Sequence, residues 1–377
     1  MTPTRLRVCH IIHSLAAGGA ESLLVDLAVA APGVDMDVAV LSLMPSEGSV
    51  FEHELLRAGA QVVSVDLRTR WDPRGLARSV RAVATLQPNV IHTHLKHADL
   101  VGAFAAQRLD LPMVSTLHLI EDSVTGLGRA KRWLGAQARI RAAARTVAVS
   151  DALRSWYVRD FPAAAARVVT LHNGVVDPGP SSAGSSLAVR QALGVPPDAV
   201  MATMVGVMRP GKGHAEVIAA AQRLPGRPDI RLVLAGDGPL RHELERMAAA
   251  DERARRSVVF AGWRNDIDDL LAASDLVVHP TLSDALPTAL IRALAAGVPV
   301  VATDVGGVPE VITPCVGVLV PLGDPGQFAS VISELAVDDD RRRRMGCAAR
   351  ARFESEFDAS VWARRLRSLY EDVLLDR

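Results

Sequence analysis

The chain has 377 residues, 49% of them apolar, and its 42 basic and 42 acidic side chains cancel at neutral pH. That balance excludes a disordered chain and the strongly basic surface of a nucleic-acid-binding protein. At roughly 100–200 residues per domain, the length suggests two domains, each with its own core.

At the start, Arg5 and Arg7 precede the run VCHIIHSLAAGGA, a layout that imitates a secretory signal. His10 and His13 break the run and Glu21 follows closely, so a buried first strand is expected instead. Short apolar runs then alternate with longer amphipathic segments, the pattern of βαβ units on a parallel sheet. In the first half strands are expected at Arg7–Ile12, Asp37–Leu43, Gln61–Val65, Asn89–His92, Met113–Leu117 and Thr146–Val149. A Pro, Gly and Ser run, DPGPSSAGSS at Asp177–Ser186, reads as a flexible connection, with the domain boundary at or just before it. The pattern restarts with strands at Val200–Val207, Arg231–Ala235, Ser257–Phe260, Asp275–Val278, Val298–Ala302 and Val316–Val320. From Asp338 onward the chain is helical and charged. Arg341–Arg344 reads as a solvated helix face, and Phe357, Val361, Leu366, Leu369, Tyr370 and Val373 mark a final packed helix.

Cys9, Cys315 and Cys347 are odd in number and lack metal-ligand spacing, so neither a disulfide framework nor a zinc site is indicated and a reducing cytosol fits. No apolar run approaches the roughly 18 residues of a membrane span.

In open parallel sheets ligands bind beyond the carboxyl ends of the strands. The first such loop is AGGAE, Ala17–Glu21, where Gly18 and Gly19 let backbone approach a ligand at a helix N-terminus. A tight structural turn explains it equally well. His92, His94, His97 and His118 gather at the ends of the fourth and fifth strands. His92 and His94 are expected on opposite faces of their strand, and no carboxylate stands at ligand spacing. A metal site is therefore poorly supported, and hydrogen bonding to a polyol is the better reading.

In the second half, GVMRPGKG at Gly206–Gly213 follows the first strand. Only Lys96, Lys131 and Lys212 are lysines, so an ammonium held between two glycines is conspicuous. A compact cation beside approachable backbone suits a diphosphate. AGDGP at Ala235–Pro239 and AGW at Ala261–Trp263 are glycine turns at the same edge. Thr281–Glu310 follows with a strand end, a loop, a helix from about Pro287 to Ala296, a short strand and the Gly306–Gly307 turn. Its helix N-terminus at Leu286–Ala289 offers N–H groups to an anion. Asp284, just ahead, reads either as a sugar-binding carboxylate or as a helix cap.

Taken together, GGAE at Gly18–Glu21, HTH and STLH around His92 and His118, VAVSDALR at Val147–Arg154, HNGV at His172–Val175, GVMRPGKG, AGDGPL and AAGVPVVATDVGGVPE give the chain its resemblance. It resembles the retaining glycosyltransferases of family 4, over nearly its whole length. The resemblance implies an α/β chain of the GT-B fold, with two facing Rossmann-like, doubly wound domains and a C-terminal helix returning to the first. The expected boundaries are 1–170 for the acceptor-side domain, 171–355 for the nucleotide-sugar domain and 356–377 for the helix.

The implied reaction moves a sugar from a nucleotide diphosphate sugar, a UDP- or GDP-sugar, to an acceptor hydroxyl with retention, and needs no cofactor or metal. The matching positions put Lys212 on the diphosphate, with Gly19 and the backbone of Leu286, Pro287, Thr288 and Ala289 near the same group. They put Asp284 on the donor sugar, His118 near the reacting centre, and Gly236 and the loop containing Trp263 and Arg264 by the nucleotide. Two departures stand out. The family's E-x7-E pair is Asp284 and Arg292 here, and an arginine cannot accept bonds from a ribose. Val207 replaces an arginine of GRLxPxKG, leaving Arg209 as the other candidate for the phosphates. These changes keep open an alternative, a pseudo-enzyme of the same fold that binds without transferring sugar.

Between Ser123 and Ser150 the chain has no acidic residue, while Arg129, Lys131, Arg132, Arg139, Arg141 and Arg145 are basic and Trp133 and Leu134 interrupt them. The stretch reads either as a solvated helix face or as a contact with anionic lipid, which would suit a lipid-linked acceptor. The expected location is the cytoplasm, at the inner face of the cell membrane if the lipid reading holds. Acceptors in the family are glycolipids, polysaccharide precursors and metabolites, and no nucleic-acid partner is expected.

Overall fold

The computed structural model describes residues 5–16, 18–67, 72–120 and 126–376. The chain divides into two units, Met1–Val176 with Phe357–Arg377, and Asp177–Glu356. The first carries β1 (Leu6–Ile12), β2 (Met36–Ser42), β3 (Gln61–Ser64), β4 (Val90–His94), β5 (Met113–Leu117), β6 (Ala143–Ala148) and β7 (Val168–Thr170). The second carries β8 (Val200–Val205), β9 (Ile230–Ala235), β10 (Val258–Gly262), β11 (Leu276–His279), β12 (Val300–Thr303) and β13 (Gly317–Val320).

Strand order is β3-β2-β1-β4-β5-β6-β7 in one sheet and β10-β9-β8-β11-β12-β13 in the other, and the neighbours pair in parallel. Both are doubly wound, with the direction of winding reversing between β1 and β4 and between β8 and β11. Helices cover both faces, so β4, β5, β11 and β12 are buried along their whole length. The second sheet has a core on each face, one around Leu232, Leu234, Phe328 and Ile332 and one around Met201, Val233 and Leu270.

The strand expected at Thr146–Val149 starts earlier, at Ala143, and β7 was not expected at all. With three residues at the sheet edge, β7 is too short for an apolar pattern to reveal it. The connection expected over Asp177–Ser186 is helical in its last part. Ser182 Oγ accepts from the Ser185 N–H at 3.1 Å and caps the helix Ala183–Ala192.

The C-terminal helix Ala359–Leu375 returns to the first unit and buries Trp362, Leu366, Leu369, Tyr370 and Val373. Val175 N–H donates to the Phe357 carbonyl at 3.0 Å, and Ala359 N–H to the Val175 carbonyl at 2.9 Å. Gly174 of the HNGV segment permits this approach, because a Cβ there would lie 2.8 Å from the Asp358 carbonyl oxygen. Among the described residues no helix is long and apolar enough to cross a membrane.

Candidate functional site

In the second unit the loops after β8, β9, β10, β11 and β12 are tied to one another at the carboxyl edge of the sheet. Gly206 N–H donates to Ala235 O at 2.9 Å, Gly236 N–H to Gly262 O at 2.8 Å, Leu282 N–H to Gly211 O at 2.9 Å and Gly307 N–H to Asp284 O at 3.0 Å. Gly213 opens the helix His214–Ala221 at φ 86°, and a Cβ there would stand 1.8 Å from the Pro280 carbonyl oxygen. Only glycine allows the lysine loop to lie against the loop after β11.

That contact brings Lys212 to Asp284, Nζ to Oδ2 at 2.7 Å, with both side chains mostly buried. His279, the last residue of β11 and only 3% exposed, places Nε2 3.6 Å from the same oxygen. Burial alone would raise the Asp284 carboxyl, but the His279 imidazole and the Lys212 ammonium outweigh it and hold the group at about 2. Asp284 is therefore not the cap of the helix Thr288–Ala295. That helix follows Pro287 without a side-chain cap and starts four residues after Asp284. Leu286 and Pro287 are buried; Thr288 and Ala289 are half-buried. Arg209 is exposed. Trp263 is 59% exposed with Nε1 donating to Asn265 Oδ1 at 3.1 Å, and Arg264 is paired with Asp266. Arg292 contacts Asp268 at 3.2 Å.

In the first unit, Gly18 stands at the N-cap of the helix Gly19–Ala30, which also has no side-chain cap; Ala17 lies outside the described residues. His10, His92, His94 and His118 form one cluster, while His97 packs on His13 with ring centroids 4.6 Å apart. Register pairs His10 with His92 between β1 and β4, and His94 with Thr116 between β4 and β5. The expectation that His92 and His94 lie on opposite faces is corrected: residues two apart on a strand share a face, and their rings stack with centroids 4.5 Å apart. His94 Nδ1 meets His118 Nε2 at 2.9 Å, His94 Nε2 meets His10 Nδ1 at 2.9 Å, and His92 lies between the Tyr370 hydroxyl and Thr116 Oγ1.

Burial pushes His10 down to about 3 and His118 to about 4, the latter helped by the nearby Arg139 charge. His92 and His94 fall well below the ordinary range for the same reason, with neighbouring imidazoles adding to it. All four rings are neutral at pH 7. His10, His92 and His94 bring ligand atoms within 4.8 Å of one another. However, hydrogen bonds already engage both nitrogens of His92 and of His94, which argues against a resident metal. His118 lines a cavity of 180 Å³ shared with Lys96, His97, Trp156 and Tyr157.

On the other face of this sheet Asp99 accepts from Arg139, Thr93 and Ser115. Arg139 is only 5% exposed, Arg132 is paired with Asp160 and stacked over Trp156, and Arg145 is bound to Asp376 at 2.6 Å. These three are thus turned to the protein, which corrects the reading of the basic stretch as one continuous solvent or lipid face. Trp133, Leu134 and Arg141 are exposed; residues 123–125 and the side chains of Arg129 and Lys131 lie outside the described residues.

Residue typing by motif missed His10, His279, Thr116 and Tyr370. His279 carried a signal, standing one position past an expected strand at the ligand edge. The others become neighbours only through register and the returning helix.

Residues 17–177 match the family described as Glycosyltransferase Family 4, and residues 186–352 match Glycosyl transferases group 1. An alpha-maltose-1-phosphate synthase of Mycobacterium tuberculosis is 31% identical over 323 residues, 78% of this chain and 81% of the relative. A D-inositol 3-phosphate glycosyltransferase of Kribbella flavida is 33% identical over 298 residues, 72% and 70% of the two chains. Anabaena Alr3699/HepE in complex with UDP and glucose superposes with a TM-score of 0.85 at 22% identity, covering 98% of this chain and 100% of that one. Two Rossmann-like units, an ordered ligand edge on each, and relatives of this similarity over most of their length lead to one assignment: the chain belongs to glycosyltransferase family 4 and has the GT-B fold.

Proposed function

We propose that this glycosyltransferase transfers a sugar from a UDP-sugar to a hydroxyl of an acceptor held on the first unit, with retention at the anomeric carbon and without a metal. The observation that carries the reading is the Lys212–Asp284 pair at 2.7 Å beside the uncapped N-terminus of the helix Thr288–Ala295. An ammonium and helix N–H groups at one edge stabilise the charge that develops on a departing diphosphate, which is the role a metal takes elsewhere. UDP takes first place over GDP because solved relatives of this fold bind it.

Asp284 is not the base that deprotonates the incoming hydroxyl. A carboxyl held at about 2 and engaged by Lys212 is a weak base at neutral pH. The leaving phosphate then takes the proton of the incoming hydroxyl on the same face, and Asp284 orients the donor sugar. Arg292, engaged with Asp268, is in no position to substitute for a ribose-binding carboxylate, so backbone groups around Gly236 and Gly262 take a larger share of nucleotide binding. The cavity beside His118 sets Lys96, His97, Thr116 and Arg139 against Trp156 and Phe161, and hydrogen-bonding groups facing aromatic rings suit a polyol. A relative named for D-inositol 3-phosphate makes a small polyol an acceptor to try first.

Thermal-shift titration with UDP, GDP and ADP tests the donor class, since ligand at 100 times its Kd stabilises by about 2.7 kcal/mol. UDP is expected to give the largest shift, and a larger shift with GDP or ADP overturns that choice. Transfer from the matching nucleotide sugar, unaffected by EDTA and giving an α-linked product from an α-linked donor by NMR, is the expected result. Loss of turnover with EDTA, or inversion, contradicts the mechanism.

A further inference from the structure

His118 is one end of a chain of rings whose other end lies deep in the first unit. We infer that His10 and His94 are positioning residues that hold His118 in its Nδ1–H form, so that it donates a hydrogen bond to a hydroxyl entering the neighbouring cavity; this rests on the reading that His118 serves the reacting centre.

The argument is one of proton counting. Each link, His118 Nε2 to His94 Nδ1 and His94 Nε2 to His10 Nδ1, is 2.9 Å long, so each shares a single proton. All three rings are neutral at pH 7, and a neutral imidazole has one N–H. The tautomers are therefore coupled, and only two arrangements satisfy both links. Either every ring carries its proton on Nδ1, or every ring carries it on Nε2.

The far end chooses between them. His10 is fully buried, and among the described residues its Nε2 has no hydrogen-bond partner. In the Nε2–H arrangement a buried donor is orphaned there, whereas in the Nδ1–H arrangement only an acceptor lone pair is left bare. Orphaned buried N–H groups are the rarer and costlier defect. The Nδ1–H arrangement is favoured, and it leaves His118 with a donor on the ring edge away from His94.

Two further features keep the chain in line. His92 stacks on His94 at 4.5 Å and meets the tilted His10 ring at 5.0 Å, and its own partners are the Tyr370 and Thr116 hydroxyls, which donate or accept and so impose no direction. Directly after His94, Leu95 has φ 70°, rare for a bulky side chain, and this turn ends the strand with the His94 ring in place.

The test uses the full chain labelled with 15N-histidine and long-range 15N–1H spectra at neutral pH without substrate. The expected spectrum has His10, His94 and His118 protonated on Nδ1. In His10→Leu the chain ends at His94 Nε2, left as a bare acceptor by the same reasoning, so His118 should stay in the Nδ1–H form. In that variant kcat/KM should fall about tenfold, because the His94 ring has lost the donor that held it. His10→Asn supplies an amide N–H where Nδ1–H stood and should restore the activity, again with an Nδ1–H His118. An Nε2–H His118 in the unaltered protein overturns the inference, as does an Nε2–H His118 or full activity in a folded His10→Leu. Should that variant not fold, the unaltered protein's spectrum alone decides. Full transfer activity in His118→Ala with Nδ1–H tautomers in the unaltered protein would overturn the functional reading and leave the tautomer assignment standing.

Discussion

The two units place a ligand edge on the same kind of sheet with opposite chemistry. In the first, four imidazoles are kept neutral by burial and three of them are joined by hydrogen bonds. In the second, glycine turns bring together one ammonium and one carboxylate. Neutral rings orient hydroxyls without presenting charge, which suits an acceptor. A buried ion pair at an uncapped helix N-terminus suits a diphosphate, whose charge must be met as it departs. The same topology serves both because the carboxyl edge of a doubly wound sheet collects loops whatever side chains they carry.

The largest expected effect tests what holds the first unit together. Arg139→Ala leaves Asp99 buried without its cation and should destabilise that unit by about 3–5 kcal/mol, read by denaturant unfolding followed through hydrogen exchange of peptides from each unit. Equal loss of protection in both units would show that they do not unfold separately. Next, Lys212→Ala should lower kcat/KM about 10²–10³-fold, the usual consequence of removing one preorganised charge at a leaving group. Full activity in that variant would remove the distinction between a charged and a neutral edge.

Acid should separate the units more gently. His10, His92, His94 and His118 have folded pKa values below the ordinary 6.5, down to about 3 for His10. The unfolded chain therefore takes up protons first, so their contribution is fully present above pH 6.5 and is lost as pH falls toward 4. Each ring contributes a slope of at most about 1.4 kcal/mol per pH unit. In the second unit His214 behaves this way, lowered by burial to about 4, and Asp284 gives way only between 3.8 and about 2. Hydrogen exchange at pH 7 and pH 5 should show the first unit losing more protection, and a greater loss in the second would contradict the assignment of neutral rings.

The smallest effect concerns the exposed Trp133, Leu134 and Arg141. Since Arg132, Arg139 and Arg145 are engaged internally, binding to anionic vesicles should be weak, on the order of 1 kcal/mol per remaining basic residue. Co-sedimentation at low salt measures it, and strong binding that Trp133→Ala leaves intact would place any contact elsewhere.

Much of the second unit's site was legible in the sequence, because its chemistry is carried by contiguous segments. Lys212 stood out as a rare lysine between glycines, and Thr281–Glu310 showed its loop, helix and turn in order. Even so, the pairing of Lys212 with Asp284 depended on Gly213 lying against Pro280, a contact between segments about seventy residues apart. The first unit was less legible. HTHLKH was visible, but its meaning was missed by treating alternate residues as facing opposite ways.

By itself the sequence determined the alternation of strands and helices, the restart after Asp177, the glycine turns at the strand ends and the family. Those depend on local periodicity and on residue types at short spacing. Only the tertiary structure decided which side chains meet: His10 beside His92 through strand register, Tyr370 against His92 through a helix returning from the far end of the chain, and Arg139 turned inward to Asp99. Register and helix docking are set by the packing of whole faces, and no short segment carries that information.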